Sequence, residues 1–142
     1  MKNQNYSNHR LFVPGYHYFT MLGVIILLIG SIVNLVNSTP NNKYSASLLV
    51  FSSLLLMFVA FYARAFALKA QDRAIKAEEN FRYYLLTKKV LPNQLTVRQI
   101  VGLRFASDEE FPTLVEKAVQ EEMTESEIKK SIKNWKGDYY RA

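Results

Sequence analysis

The residues with the greatest potential for chemistry in this sequence are two histidines, His9 and His17, and the acidic run 108–110. An imidazole can act as a general base or bind a metal ion, and neighbouring carboxylates can share a proton. A Ser-His-Asp site would need a histidine close to a carboxylate and a buried serine, and the spacing indicates neither. The stretch NHRLFVPGYHYF offers no further obvious metal ligands. We therefore expect no metal ion and no catalytic residue at either histidine.

The acidic run has a structural explanation, because carboxylates in the first turn of a helix complement the positive end of the helix dipole. The sequence contains no Cys, which excludes thiol nucleophiles and cysteine metal sites. It also contains no Gly-rich phosphate loop and no H-E-x-x-H motif. These features predict a protein that is not an enzyme and that needs no cofactor.

The most prominent structural feature of the sequence is a pair of long apolar runs. No Asp, Glu, Lys or Arg lies between Arg10 and Lys43, or between Lys43 and Arg64. Within these stretches, residues 18–36 and 45–63 are each long enough, at about 28 Å, to cross a hydrocarbon core of about 30 Å. The first run is too long for a signal peptide and lacks an A-x-A cleavage site. Because a span must satisfy its own backbone polar groups, the sequence predicts an all-α membrane protein.

The link 37–44 contains Pro40 and turn-forming neighbours, so the two spans are expected to form an antiparallel hairpin. The link carries Lys43 alone, whereas the stretch that follows the second span is rich in Lys and Arg. The positive-inside rule then predicts that both termini are cytoplasmic. We divide the chain into an N-terminal interfacial segment (1–17), the hairpin (18–63), a cytoplasmic extension of the second helix (64–90) and a small cytoplasmic helical domain (91–142).

Small and polar residues define a predicted packing face on the two spans. Such residues allow helices to approach closely in lipid and to form hydrogen bonds between helices. The residues predicted to pack are Gly23, Gly30, Asn34, Ser52 and Ala60. Aromatic, histidine and basic residues at the ends of the spans are typical of interfacial anchors. The predicted anchors are His9, Arg10, His17, Tyr18, Tyr62, Arg64 and Lys69.

The second span is expected to continue as one helix to about Thr87, since no Gly or Pro occurs between Pro40 and Pro92. The pairs Asp72/Lys76 and Glu78/Arg82 are spaced to support an exposed helix. A stripe of mainly small residues runs along this helix at steps of three and four. Its members are Ala63, Ala67, Ala70, Ala74, Ala77 and Phe81. The stripe is interpreted either as part of a solvated Ala-rich helix or as a docking or dimerisation seam.

Three helix-start signatures follow Pro92. Thr96 with Gln99, Ser107 with Glu110 and Thr124 with Glu127 each have the spacing of a capping box. They predict short helices over 97–105, 108–122 and 125–136, in which Pro112 can shift the start of the second helix. Gly137 is expected to end the last helix as its C′ residue.

A domain of this size has only a marginal core of its own, so we expect it to pack against the long helix, the membrane surface or a partner. Apolar periodicity predicts the core, for example Leu114, Val115 and Ala118 on the second short helix. Several other residues are candidates for a partner surface. These are Arg104, Phe105, Phe111, Trp135, Tyr139 and Tyr140.

The distribution of charged residues along the chain indicates which kinds of partner it can bind. Residues 64–104 are strongly basic, which beside a membrane favours anionic lipid headgroups. Nucleic acid is a weaker alternative, because residues 107–142 carry more acidic than basic residues and would repel phosphate. The leading hypothesis is a non-enzymatic accessory or scaffold protein that binds a protein partner or forms a homo-oligomer. The alternatives are a membrane-tethered nucleic-acid-binding regulator and a small transport or channel subunit, the latter disfavoured by the absence of an ionisable group within the spans.

Three segments of the sequence carry a resemblance. NHRLFVPGYHYF, LTVRQIVGLRFASDEEFP and IKKSIKNWKGDYYR resemble an uncharacterised family of small bacterial two-span membrane proteins, of the domain-of-unknown-function kind. The most specific parts are RFASDEEFP (104–112) and IKNW (132–135). The resemblance covers nearly the whole chain and implies a bacterial inner membrane and the same layout of a hairpin followed by helices. It implies no activity, so no catalytic residues are carried over.

Overall fold

The computed structural model describes residues 4–9 and 11–139, which form five α-helices and no β-strand. The helices are α1 (Met21–Asn37), α2 (Lys43–Thr87), α3 (Val97–Leu103), α4 (Phe111–Gln120) and α5 (Glu125–Ser131). A π-helical stretch, Gly15–Thr20, leads into α1, and a 3₁₀ turn, Pro40–Asn42, leads into α2. The predicted all-helical class is confirmed for the described residues.

Helix α2 runs without interruption for 45 residues, through both the second apolar run and the charged stretch after it. The predicted continuity of this helix is therefore confirmed. The helix ends at a left-handed residue, Lys88, with φ of 60°. The backbone N–H of Lys88 donates to the carbonyl of Tyr84 at 2.8 Å, as in an αL cap. The Asn80 side chain accepts the Leu91 N–H at 2.9 Å and fixes the direction of the chain beyond the helix.

The described part of the chain divides within α2 into two compact units, residues 11–67 and residues 4–9 with 68–139. In the first unit, α1 contacts α2 through two buried serines, Ser31 and Ser53, whose hydroxyls lie 3.2 Å apart. The hydroxyl of Tyr16 donates to the carbonyl of Ala60 at 2.8 Å, and Arg64 lies over the Tyr16 ring. These contacts leave most of the apolar side chains of the first unit exposed.

The second unit is built on the last part of α2. The α2 residues Ile75 and Tyr83 are buried in the same core as residues of all three short helices. Helices α3 and α5 approach closely at Gly102, where an added Cβ would lie 3.2 Å from the carbonyl oxygen of Glu125. This shared core confirms the expectation that the small domain packs against the long helix.

Two of the three predicted capping boxes form. The hydroxyl of Thr96 accepts the Gln99 N–H while the Gln99 side chain accepts the Thr96 N–H, and Thr124 and Glu127 form the same reciprocal pair. The predicted Ser107 box is wrong, because α4 begins only at Phe111 with Pro112 in its first turn. Pro112 has no backbone N–H to donate to the Asp108 carbonyl, so regular helical hydrogen bonding cannot begin at residue 108, and Pro is instead accommodated in the first turn of α4.

The predicted third helix is too long, because α5 ends at Ser131. The chain beyond it is extended and runs antiparallel to residues 105–107. The Lys136 N–H donates to the Phe105 carbonyl at 2.7 Å, and the Ser107 N–H donates to the Asn134 carbonyl at 3.0 Å. The prediction for Gly137 is also wrong, since no helix ends there and its φ is not positive.

Replacement of Lys88 by glycine is expected to stabilise the second unit. A left-handed conformation costs an L-residue roughly 1–2 kcal/mol, and glycine avoids this cost while losing part of the gain to chain entropy. The expected net gain is about 0.5–1 kcal/mol. It can be measured as a shift in thermal or denaturant unfolding of the full chain in mild detergent, followed by the fluorescence of Trp135. Lys89→Gly is the matched control, because Lys89 does not have a positive φ; equal gains from both variants would contradict the explanation.

Candidate functional site

The guanidinium of Arg82, near the end of α2, bonds to several groups of the second unit. Its Nε donates to Asp108 Oδ1 at 2.7 Å, its Nη1 to Glu79 Oε2 at 3.0 Å and its Nη2 to the Ala106 carbonyl at 2.7 Å. The guanidinium also lies 4.3 Å above the centre of the Phe111 ring. The side chain of Arg82 is 12% exposed. This single cation therefore connects α2 to the segment that joins α3 to α4. We call this set of contacts the Arg82 junction.

Glu79 is the buried acidic partner in this arrangement. Burial raises the pKa of the Glu79 carboxyl, while the hydrogen bond and the positive charge of Arg82 oppose the rise. The sequence spacing favoured Glu78 as the partner of Arg82, but Glu78 is exposed and Arg82 bonds to Glu79 instead. The reason is that Glu79, Arg82 and the buried residues of α2 share the helix face that meets the small domain.

A second buried cation, Arg104, lies at the end of α3. Its Nη1 is 3.0 Å from Asp138 Oδ2, and its guanidinium lies 4.6 Å from the centre of the Phe105 ring. Arg104 is 8% exposed. It therefore anchors the extended C-terminal stretch to the core and does not form part of an open partner surface.

A cleft of about 950 Å³ separates this C-terminal stretch from one side of α2. Both acidic and basic side chains line it. Its lining residues are Gln71, Ala74, Ile75, Glu78, Glu79, Arg104, Lys136, Gly137, Asp138 and Tyr139. Several of these charges are engaged in the ion pairs described above. Among the residues that the structure describes, no group of three His, Asp or Glu side chains has the arrangement of a metal site.

Residues 4–9 pack on the small domain, an arrangement that no local pattern in the sequence predicts. The Gln4 side chain forms a pair of hydrogen bonds with the backbone of Asp138, at 2.8 and 3.1 Å. The His9 ring lies 5.8 Å from the rings of both Phe105 and Trp135, and its Nε2 is 3.3 Å from Lys129 Nζ. Residues 4–9 thus belong to the second unit and cover the aromatic part of its core.

The structure buries three of the predicted partner-surface residues. Phe105 and Phe111 are 0% exposed and pack in the core, as does Arg104 above the Phe105 ring. Large apolar side chains at helix spacing serve a core as well as a surface, which is why the sequence could not separate the two roles. Trp135 is partly buried against Phe105, whereas Tyr139 is 53% exposed. Tyr140 lies outside the described residues.

The predicted interfacial anchors occupy several environments. His17 bonds to the backbone of Val13 within the first unit, and Arg64 lies over a tyrosine ring. Tyr18, Tyr62 and Lys69 are exposed, His9 lies in the second unit, and Arg10 lies outside the described residues.

The predicted packing residues do not form the contact between α1 and α2 in this chain. Gly23 and Gly30 have nothing within 4 Å of an added Cβ, and Asn34 and Ser52 are exposed. Ala60 is half-buried and contributes its carbonyl to Tyr16. Packing of these residues against a second chain stays a prediction.

The predicted stripe lies on an open face of α2. All of its members are exposed in the structure: Ala63, Ala67, Ala70, Ala74, Ala77 and Phe81. Its role stays a prediction.

Two helical stretches, Gly15–Asn37 and Pro40–Thr87, are long and apolar enough to cross a membrane. Only 6% and 11% of their most apolar windows are buried within the chain. The two helices qualify by length and composition alone.

Comparison with known proteins identifies one family. A model described as a family of unknown function, DUF6526, matches residues 1–142. No curated protein and no solved structure matches the chain. The family match confirms the resemblance in its whole-chain extent and in its lack of an assigned activity.

Replacement of Arg82 by methionine is expected to destabilise the second unit by about 3 kcal/mol, because it leaves the buried Glu79 carboxylate without its cation. Unfolding of the full chain in mild detergent, followed by Trp135 fluorescence, measures the loss. Adding Glu79→Gln to the same chain should restore part of it. Arg98→Met is the control, since Arg98 is 78% exposed in a 3.8 Å ion pair with Glu125 and should contribute less than about 1 kcal/mol. Equal losses from the Arg82 and Arg98 variants would contradict the role of the junction.

The two capping boxes are expected to respond differently to acid. Hydrogen bonds from the backbone and hydroxyl of Thr124 lower the pKa of the Glu127 carboxyl. A lowered folded-state pKa means that this cap stabilises α5 above the ordinary pKa of glutamate and loses that contribution as the pH falls through the folded-state value. Glu127→Gln should keep the cap but remove this pH dependence, as the native Gln99 cap of α3 does. Amide hydrogen exchange of α5 and α3, corrected for intrinsic rates across the acid range, measures the difference; an unchanged acid response of α5 in the variant would refute it.

Proposed function

The chain belongs to DUF6526, a family of unknown function, and from that premise we propose that it is a non-enzymatic accessory or scaffold protein of the bacterial inner membrane. The hairpin of α1 and the first part of α2 anchors it. The rest of α2 carries the small helical domain at the cytoplasmic face, where the domain binds a protein partner.

The observation that carries this proposal is the exposed apolar surface of the first unit. Large apolar side chains are open on several sides of both helices, including Phe19 (83% exposed), Val36 (76%) and Phe51 (58%). Soluble monomers rarely expose contiguous apolar surface on this scale. A lipid environment covers such a surface at no cost and also suits two helices that satisfy their own backbone hydrogen bonds.

The continuity of α2 supports the role as a carrier. One helix contains both the second apolar stretch and the residues Ile75, Arg82 and Tyr83, which the small domain encloses. A domain that shares its core with this helix cannot separate from it without exposing apolar surface and the buried Arg82 junction. The domain is therefore tied to the anchor by its own folding.

The orientation is proposed from charge. The link between α1 and α2 carries Lys43 alone, whereas seven Lys and Arg residues lie within residues 64–89. Flanking Lys and Arg remain on the cytoplasmic side during insertion. The same basic residues are suited to anionic headgroups at that face.

A role in binding is favoured over catalysis because the charged groups inside the second unit bond to the protein itself. The buried groups Glu79 and Arg104, and Arg82, whose side chain is 12% exposed, bond to the structure around them. Exposed apolar residues on the last part of α2, including Phe81 (63%) and Val90 (68%), provide surface of the kind that partners bury.

The orientation can be tested by thiol labelling, because the native sequence contains no Cys. Asn41→Cys, in the exposed link, should react with a membrane-impermeant thiol reagent on intact cells. Lys117→Cys, on the exposed side of α4, should react only after permeabilisation. The opposite pattern would overturn the orientation, and release of the chain from membranes by alkaline carbonate would overturn the anchor itself.

The interaction role can be tested on the full chain extracted in mild detergent, by cross-linking followed by mass spectrometry. A defined partner or a homo-oligomer is expected. A strictly monomeric chain that never co-purifies with another protein would contradict the role as a scaffold.

A further inference from the structure

The last part of α2 presents one apolar face that the second unit does not cover. Phe81, Tyr84 and Leu85 are 63%, 47% and 53% exposed, although the neighbouring residue Tyr83 is only 4% exposed. The buried side of the helix faces the small domain through Ile75, while the exposed aromatic side points elsewhere around the same helix. A helix with two apolar sides, one of them open, is suited to a second helical partner.

The residues of this open face follow a heptad repeat. Phe81 and Ala74 are seven residues apart and take the a positions, while Ala70, Ala77 and Tyr84 take the d positions. All five are exposed. A strict seven-residue repeat indicates a partner helix that follows the same supercoil along the length of the face.

The flanking charges identify the partner. In this register Arg73 is a g residue and Glu78 is the e residue of the next heptad, five positions later. Side chains at g and at the following e′ meet across a parallel, in-register pair of helices. Arg73 would therefore meet Glu78 of a second copy, and two-fold symmetry would form this ion pair twice. Both residues are exposed, and neither has an ion pair among the residues that the structure describes.

We propose that two copies of this chain dimerise through this face, with the two α2 helices parallel and in register. The inference rests on the proposed membrane anchoring, because copies inserted in the same orientation present their α2 helices in parallel. In an antiparallel pairing g residues face g′ residues and e residues face e′ residues, so no alignment would bring Arg73 to Glu78. The alanines at 70, 74 and 77 allow close approach, and the aromatic residues at 81 and 84 supply most of the buried apolar area.

Disulfide trapping in native membranes tests the contact, since each variant has a single cysteine. Ala77→Cys places the thiol at a central d position, where the two chains should form a covalent dimer under mild oxidation. Lys76→Cys is the matched control, one residue away on a side of the helix that does not face the partner. Dimers from Ala77→Cys alone are expected. No dimer from this variant, or equal yields from both variants, would overturn the proposal.

Charge exchange tests the parallel register. Arg73→Glu and Glu78→Arg should each weaken detergent-solubilised dimers by roughly tenfold or more, because two attractive contacts become two repulsive ones. The double variant should restore the native affinity, since it re-forms both pairs with their signs exchanged. Failure of the double variant to recover, with folding intact by circular dichroism, would exclude this register.

Membrane fractionation of the same variants separates this inference from the proposed function. A chain that stays in the membrane, binds a different protein and gives no Ala77→Cys dimer would overturn the dimer alone. A chain found in the soluble fraction would overturn the anchor and with it the reason for parallel alignment.

Discussion

The second unit depends on the burial of the Arg82 guanidinium. A guanidinium that is 12% exposed must find acceptors for its donors, and Arg82 finds Glu79 on its own helix and Asp108 and the Ala106 carbonyl on the segment beyond α3. These acceptors come from two parts of the chain, so satisfying the cation also fixes that segment against α2. The Phe111 ring completes the arrangement by covering the guanidinium from one side at 4.3 Å. The start of α4 is thereby placed next to the long helix.

Features that depend on a few neighbouring residues could be predicted from the sequence. The capping boxes at Thr96 and Thr124 are formed by residues within one turn, so their side chains need no distant partner. The uninterrupted course of α2 follows from its composition, because no residue between Pro40 and Pro92 breaks a helix. The apolar stripe of α4, which includes Leu114, Val115 and Ala118, is buried as its spacing predicts.

Features that depend on distant contacts could not be predicted in this way. Glu110 has the spacing of a capping residue, but its carboxylate accepts the N–H groups of Lys133 and Asn134 at 3.2 and 3.1 Å. Those acceptors, together with the pairing to residues 105–107, satisfy an extended backbone where the local pattern favoured a longer helix. The bonds between Gln4 and Asp138 join residues at opposite ends of the chain, and no local periodicity encodes them. Arg104, Phe105 and Phe111 could not be recognised as buried for the same reason, since burial of Phe105, for example, depends on what the rest of the chain places over it.

Two sides of the last part of α2 have different surroundings. Successive residues of a helix point about 100° apart, so Arg82 and Phe81 are neighbours in sequence but lie on different sides. One side is occupied by the small domain through the Arg82 junction, and the other keeps Phe81 63% exposed. A change at Arg82 removes hydrogen bonds to Glu79, Asp108 and the Ala106 carbonyl, whereas a change at Phe81 removes exposed apolar surface. A loss of association caused by a change at Phe81 can therefore be distinguished from a loss of folding caused by a change at Arg82, even though the two residues are adjacent.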